Sequence, residues 1–208
     1  MSLDVPHLPD DEIHVWRMPW GGDAADAPLF RALLVAYAGA GAPEIARGEH
    51  GKPHFPGPFS RFGFSWSHSR DVALFAIGHG PAGFELGVDV ERVRPRARSL
   101  ELAQRFFAPA ETAWLAELAP EQLLMGFLEL WTAKEAVLKA QGGGLSYGLH
   151  RVAFRRVPGL PLVADAFEGD VAPAGAWQVH PLGLGDGLVS TVAWRGEPRT
   201  VRVFTFPL

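Results

Sequence analysis

Two short stretches carry the residues best suited to chemistry: GVDVERVRP at 87–95 and WTAKEAVLKAQGGGL at 131–145. Asp89 and Glu91 stand two apart in an alternating run with Val88 and Val90. A strand there puts both carboxylates on one face and both valines on the other. Carboxylates so placed repel unless something positive sits between them. Arg92 or Arg94 could supply the charge, and so could a divalent cation. Magnesium suits a few carboxylates whose octahedron is completed by phosphate oxygens and water. In the second stretch Lys134 and Lys139 flank Glu135. The plain reading is a solvated i,i+4 pair between Glu135 and Lys139, contributing roughly 0.2–0.5 kcal/mol. On a helix, however, Leu123, Leu124, Phe127, Leu128, Trp131 and Leu138 form one broad apolar face. Lys134 and Glu135 fall inside that arc and Lys139 at its edge. Charges beside a core need partners or a metal, so a functional role is the favoured reading.

Two weaker signals accompany these. SWSHSRD places Ser67, His68 and Ser69 between two strand-like runs, where a lone histidine is usually structural or exposed. RGEHGKPHF places Lys52 between Gly51 and Pro53, in a loop where backbone can approach a ligand closely. It is not a phosphate-binding P-loop, because the preceding glycine and the following Ser/Thr are absent. Lys52, Lys134 and Lys139 are the only lysines, against sixteen arginines. Where arginine is the default cation, each lysine is informative.

The elements that must position these residues are legible in outline. Ile13–Met18 alternates like a strand, Pro19–Pro28 is rich in turn residues, and Leu29–Ala38 has a helical pattern stopped by Gly39 and Gly41. Glu44–Ser60 reads mostly as loop. Phe62–Trp66, Val72–Gly78 and Phe84–Glu91 read as strands, and the arginine-rich Val93–Ser99 as the link between halves. Helices follow at Leu100–Phe107, Pro109–Ala119 and Glu121–Gln141, with Pro109 suited to a first turn and Gly142–Gly144 as a stop. Strand candidates close the chain at Arg151–Arg156, Ala176–Pro181, Leu188–Trp194 and Thr200–Phe206. The fold class expected is α+β, with two similar subdomains at 1–95 and 96–208.

Composition narrows the function classes. The chain has 208 residues, 48% of them hydrophobic and 20% charged, as in soluble globular proteins. A net charge of −4 gives no reason to expect nucleic acid or an acidic membrane as partner. Without cysteine there are no disulfides, no thiolate metal ligands and no thiol catalysis. The beginning of the chain is acidic and lacks an apolar signal core, and no apolar run approaches the ~18 residues of a membrane span. A cytoplasmic protein is the expectation.

Together the stretches GKPHF (51–55), FSWSHS (64–69), GVDVERVRP (87–95), RFFAPAE (105–111) and WTAKEAVLKAQGGGL (131–145) resemble the 4′-phosphopantetheinyl transferases, of the longer, monomeric, surfactin-synthetase-activating type. They span about half the chain, and all three lysines fall on motif positions. Lysine is a compact charge that reaches a phosphate without imposing bidentate geometry. The resemblance implies two similar α/β subdomains in a pseudo-twofold arrangement, with the active site between them. It implies that coenzyme A donates its phosphopantetheine arm to a serine of an apo acyl or peptidyl carrier, leaving adenosine 3′,5′-bisphosphate. Asp89, Glu91 and Glu135 would gather around Mg²⁺, and Glu135 would also be the candidate base, directly or through water, for the carrier serine. Lys134 and Lys139 would meet the pyrophosphate, while Lys52, Ser67 and His68 would hold the nucleotide phosphates. Glu111 stands where the family has an acidic residue near the site. The stretch before Arg31 is shorter than in the family, and Arg47 is the candidate substitute for gripping the 3′-phosphate. Three rivals are weighed against this reading. The short, trimeric fatty-acid-type synthases are about half this length. A metal-dependent pyrophosphate hydrolase would use the same carboxylates without a carrier. A degenerate carrier-binding protein is disfavoured by the complete acidic set.

Overall fold

The computed structural model describes residues 3–21 and 27–206. The middle of the turn-rich connection expected at Pro19–Pro28, residues 22–26, lies outside them. Eleven strands and four α-helices are present among the described residues. In the first half these are β1 (Glu12–Pro19), α1 (Ala27–Ala38), β2 (Ala46–Arg47), β3 (Pro53–His54), β4 (Phe62–Ser69), β5 (Val72–His79) and β6 (Leu86–Arg92). Then come α2 (Ser99–Phe106), α3 (Pro109–Glu117), α4 (Pro120–Gln141), β7 (Val152–Arg155), β8 (Val163–Phe167), β9 (Trp177–Pro181), β10 (Leu188–Arg195) and β11 (Thr200–Thr205). The chain is thus α+β, as expected. Strand β8 has no counterpart in the sequence reading. It is short, follows the Pro- and Gly-rich 158–161, and carries Asp165 in its middle, so nothing in its own pattern marks it.

Alternation in the strands builds a layered molecule. The first sheet has the order β11-β1-β5-β4, with β1 parallel to β11 and antiparallel to β5. The second has the order β6-β10-β9, all antiparallel. Trp16, Met18, Phe64, Phe75 and Ile77 face one way and pack on Leu33 and Leu34 of α1. Ile13, Val15, Leu74 and Ala76 face the other way and meet Val88, Val90, Val192 and Trp194 of the second sheet. The opposite face of the second sheet is covered by α4, together with α2, α3, β7 and β8. Strands cross the boundary at residues 95/96: β6 pairs with β10 in the second sheet, and β11 closes the first sheet beside β1.

Helix α4 is the main positioning device. It begins at Pro120, where a missing N–H costs nothing, and ends at Gly142, whose φ of 102° serves the left-handed cap. It is buried over most of its length from Gly126 to Ala140, on two faces rather than one. Its axis lies almost on β6, because Gly87 has no side chain. A Cβ there would stand 2.0 Å from the carbonyl oxygen of Ala136 and 2.5 Å from the nitrogen of Ala140. That close approach brings the carboxylate of β6 next to the last two turns of α4. Among the described residues no helix is long and apolar enough to cross a membrane.

Candidate active site

The site lies where α4, β6 and β4 converge. Asp89, in the middle of β6, keeps 5% of its exposure. Its Oδ1 accepts hydrogen bonds from Ser67 Oγ at 2.7 Å and Lys139 Nζ at 2.6 Å. Lys139 also donates to Ser67 Oγ at 2.8 Å, with 29% of its side chain exposed. One turn earlier on α4, Glu135 is 9% exposed. Burial pushes its carboxyl up to about 7; the charge of Asp89 adds to the rise and Lys139 opposes it. Two oxygens here, Asp89 Oδ2 and Glu135 Oε1, are buried with no hydrogen-bond partner.

The side-chain alternation expected for β6 is present: Val88 and Val90 enter the inter-sheet core while Asp89 faces α4. The charge that offsets its carboxylates comes from neither of the two arginines proposed. Arg92 turns to Asp71, at 3.0 and 2.6 Å, and Arg94 is exposed. Lys139 answers Asp89 instead, and Arg96 answers Glu91. Glu91 Oε2 accepts from Arg96 Nη2 at 3.0 Å and from Ser69 Oγ at 3.2 Å.

The donor set bears on a metal. Two buried carboxylate oxygens without partners, on facing elements, fit a divalent cation that takes its remaining ligands from phosphate and water. A closed three-carboxylate group is not assembled. Among the described residues no group of three or more His, Cys, Asp or Glu side chains is placed to hold a metal ion, and Glu91 is turned to Arg96.

Lys52 reaches α4 from its loop and donates to the carbonyl of Ala140, one of the unpaired carbonyls of the last turn. Burial lowers its amine to about 8, against the pull of Glu85. Its stem packs on Gly142, where a Cβ would meet Lys52 Cδ at 3.2 Å. Lys52, Arg47, Ser65, Trp66, Lys139 and Gly142 line one cavity of about 230 Å³ beside the carboxylates. Arg47 is exposed and donates to the Gly51 carbonyl at 3.0 Å.

Of two further expected ligand-binding residues, one joins the carboxylates and the other points away from them. Ser67 and His68 were expected between strands, but β4 runs on to Ser69 and turns only at Arg70, with φ 60°. The two-residue period then separates them. Ser67 reaches Asp89, whereas His68 stacks on Trp20, with centroids 4.5 Å apart and planes at 12°. His68 does not line the cavity with Lys52 and Lys139.

Lys134 is the larger correction. It is fully buried on the far side of α4 from Lys139 and cannot meet a pyrophosphate. Its ammonium lies 2.7 Å from Glu111 Oε2, donates to the carbonyls of Leu149 and Val152, and sits 5.0 Å from the Phe107 ring centroid. Burial lowers it to about 8, and Glu111 opposes the drop. Glu111 in turn caps α3 by accepting from Ala108 N at 2.9 Å, and accepts from Phe154 N at 2.8 Å. The pair ties α3, α4 and the β7 strand together. Successive helical residues point about 100° apart, so Lys134 and Glu135 serve different faces.

Two contributors, Ser65 and Arg96, escaped the sequence reading, and Ser69 was named there without a role. The serine hydroxyls of 65 and 69 accept the backbone N–H groups of Val88 and Arg92, at 3.2 and 3.1 Å, and join β4 to β6 where no ladder bonds them. Their signal was the S-x-S-x-S alternation, visible once the strand is extended to Ser69. Arg96 had no signal beyond its neighbourhood.

Lys139→Ala is expected to damage catalysis more than folding. Removal of one preorganised charge donor typically costs ~10²–10³ in rate. The lost pair is partly exposed, so a fall in stability of about 1–2 kcal/mol is expected. Melting temperature measured beside catalytic rate checks this. A large fall in melting temperature with the rate preserved in the folded fraction would make the lysine structural.

The sequence model of the 4′-phosphopantetheinyl transferase superfamily matches residues 85–181, which include β6 and α4. The chain is 33% identical over 224 residues to the 4′-phosphopantetheinyl transferase HetI of Nostoc, covering 91% of this chain and 90% of that protein. It is 34% identical over 172 residues to a putative 4′-phosphopantetheinyl transferase of Synechocystis, covering 80% of this chain and 63% of that protein's length. To the 4′-phosphopantetheinyl transferase AcpT of Salmonella typhimurium it is 38% identical over 143 residues, 68% of this chain and 70% of the other.

Proposed function

The chain belongs to the 4′-phosphopantetheinyl transferase superfamily, and from that premise we propose that it moves the phosphopantetheine arm of coenzyme A to a serine of an apo acyl or peptidyl carrier protein, with Mg²⁺ held at Asp89 and Glu135. The observation that carries the reading is the pair of buried, unpartnered carboxylate oxygens beside Lys139, at the edge of a cavity that Lys52 and Arg47 make basic. Bound there, the cation would neutralise the pyrophosphate of coenzyme A and the charge that develops on the leaving phosphate.

The chain's own residues do the rest. The carrier serine oxygen attacks the phosphorus bearing the pantetheine arm, the bond to the second phosphate breaks, and adenosine 3′,5′-bisphosphate leaves. The serine proton goes to Glu135. Burial and the neighbouring Asp89 raise the proton affinity of this carboxyl above the ordinary carboxylate range, which suits a group that must take a proton. Lys139 presents a compact ammonium to the pyrophosphate, and Ser67 holds both that ammonium and Asp89 in place. Lys52 contributes positive charge at the cavity wall while its stem keeps the α4 terminus close. Action as a monomer belongs to the same reading.

The test is mass spectrometry of apo carriers after incubation with coenzyme A and Mg²⁺. The expected result is a gain of one phosphopantetheine, lost on exhaustive chelation. Cleavage of coenzyme A without any carrier would instead favour the hydrolase reading. No transfer to any carrier type, by folded protein with Mg²⁺ present, would overturn the proposal.

A further inference from the structure

Glu135 and Lys139 ride on α4, and Asp89 on the second sheet, so the geometry of the site depends on where the helix lies along that sheet. Few of the contacts between the two can fix it. Ala136 and Ala140 lie on Gly87, and Ala133 lines a cavity together with Val189. Side chains this small do not interlock as ridges and grooves. Gly87 sets how closely the two backbones approach and leaves the axial position of the helix open. Lys139 meets Asp89 through a flexible four-carbon stem that adapts to a shifted helix. Lys134 ties α4 to Glu111 and to the carbonyls of Leu149 and Val152, not to the sheet.

One contact is different. Thr132 and Thr191 are 0% and 4% exposed, and their hydroxyl oxygens lie 3.0 Å apart. Both side chains are short and branched at Cβ, hence stiff. The direction of the bond follows from the hydrogens available. Thr132 donates its single hydrogen to the Glu129 carbonyl at 3.3 Å, within the helix, so Thr191 donates to Thr132. In the reverse sense the Thr191 hydrogen would be buried without an acceptor. Thr191 is the ladder partner of Asp89, and directly opposed residues of an antiparallel pair share a face. Thr132 and Lys139 stand about two turns apart on one side of α4. The helix is thus held at two neighbouring positions of the sheet, rigidly at Thr191 and flexibly at Asp89. We propose that Thr132 and Thr191 are positioning residues: their hydroxyl pair sets the axial position of α4 on the second sheet and thereby places Glu135 and Lys139 against Asp89. This rests on the reading of those three residues as the catalytic set. The pair adds little stability, because two valines of the same shape would fill the space as well. Its contribution is specificity, since a slip of α4 leaves the Thr191 hydroxyl buried and unpaired. A slip by one residue moves the helix about 1.5 Å, and a misplacement of ~1 Å can cost about 10²-fold in rate.

The test separates position from stability. The double variant Thr132→Val with Thr191→Val keeps the shape and removes both hydroxyls. It is expected to melt within about 3 °C of the parent, or above it. Its kcat for transfer to a carrier is expected to fall about 10–100-fold, with a smaller change in KM for coenzyme A. Thr132→Ser keeps the hydroxyl and is expected to hold kcat within about threefold of the parent. Thr112→Val removes hydroxyl bonds to the Ala103 and Ala108 carbonyls, away from the sheet, and is expected to lower melting but leave kcat alone. Helix position is read separately, without coenzyme A, carrier or metal. The chain has no cysteine, so Gln122→Cys at the exposed start of α4 and Gly183→Cys, where a Cβ meets nothing within 4 Å, can carry spin labels. Double electron–electron resonance is expected to give one narrow distance with the threonines present. With both valines the distance is expected to broaden, or to shift by about 1.5 Å or more. An unchanged distance, a parental kcat in the double variant, or a loss of kcat in Thr132→Ser as large as in the double variant overturns the inference. So does a large fall in melting temperature of the double variant, which would make the pair a stability element. A parent that transfers nothing overturns the function proposed above, and the label distances then decide the position of α4 alone.

Discussion

Glu135→Gln is expected to lower the transfer rate by about 10²–10⁴ while coenzyme A still binds and the fold holds. The amide keeps the size and one oxygen, but it cannot take the proton of the carrier serine. Added Mg²⁺ should recover only the share of the loss that comes from weaker metal binding. Stability should move the other way. Glu135 is 9% exposed and its Oε1 has no partner, so its ionised form is held at a cost. The sign follows from proton linkage. The folded carboxyl lies at about 7, above the ordinary glutamate value of 4.5, so between those pH values the folded chain holds more protons than the unfolded one. In the absence of divalent ions, this group makes stability fall as pH rises from about 4.5 to about 7, and the penalty is then constant. It amounts to about 3 kcal/mol at most. Glu135→Gln should therefore melt higher than the parent at pH 8 and close to it at pH 4. Recovery of the parental kcat by the Gln variant at high Mg²⁺ would leave Glu135 a ligand only and send the proton elsewhere.

Lys134→Ala is expected to cost about 3–5 kcal/mol of stability, because it strands Glu111 as an uncompensated buried charge. For a chain of 208 residues that is a fall in melting temperature of roughly 10 °C or more. Glu111 would keep its bonds from Ala108 N and Phe154 N, but the carbonyls of Leu149 and Val152 would lose their shared donor. The double variant Lys134→Met with Glu111→Gln should regain much of the loss, since it removes both charges and keeps the volume. Thermal melting measures the stability, and calorimetry with coenzyme A separates the roles. Normal melting with lost coenzyme A affinity would return Lys134 to the ligand site.

The two lysines of α4 show where local pattern stops being informative. A helical wheel places Lys134, Glu135 and Lys139 relative to one apolar arc, and it presumes that one face is inside. Helix α4 is buried on two faces. One receives β6 and the carboxylates; the other receives α3 and β7. Which charge belongs to which face depends on what packs there, and Glu111 lies 23 residues away in sequence from the lysine it meets. The orientation of His68 was hidden for a different reason. Ending β4 at Trp66 left its orientation open, and three more strand residues decided it, because the period of a strand is two.

The sequence by itself determined the residue types, their spacing and the family they resemble. Those are local properties: V-D-V-E alternates, Pro120 and Gly142 bound a helix, and three lysines stand out in an arginine-rich chain. It thereby determined the α+β class and the position of most elements, and it singled out Asp89, Glu135 and Lys139 as candidates. The tertiary structure alone decided that Lys134 locks the core, that Arg96 rather than Arg92 or Arg94 answers Glu91, and that serines 65 and 69 bridge β4 to β6. It also decided that Gly87 lets α4 lie on β6 closely enough for Lys139 to reach Asp89. The physical reason is common to all of these. A buried charge or hydrogen-bonding group takes its meaning from the partner that replaces water around it, and here those partners come from other elements of the fold.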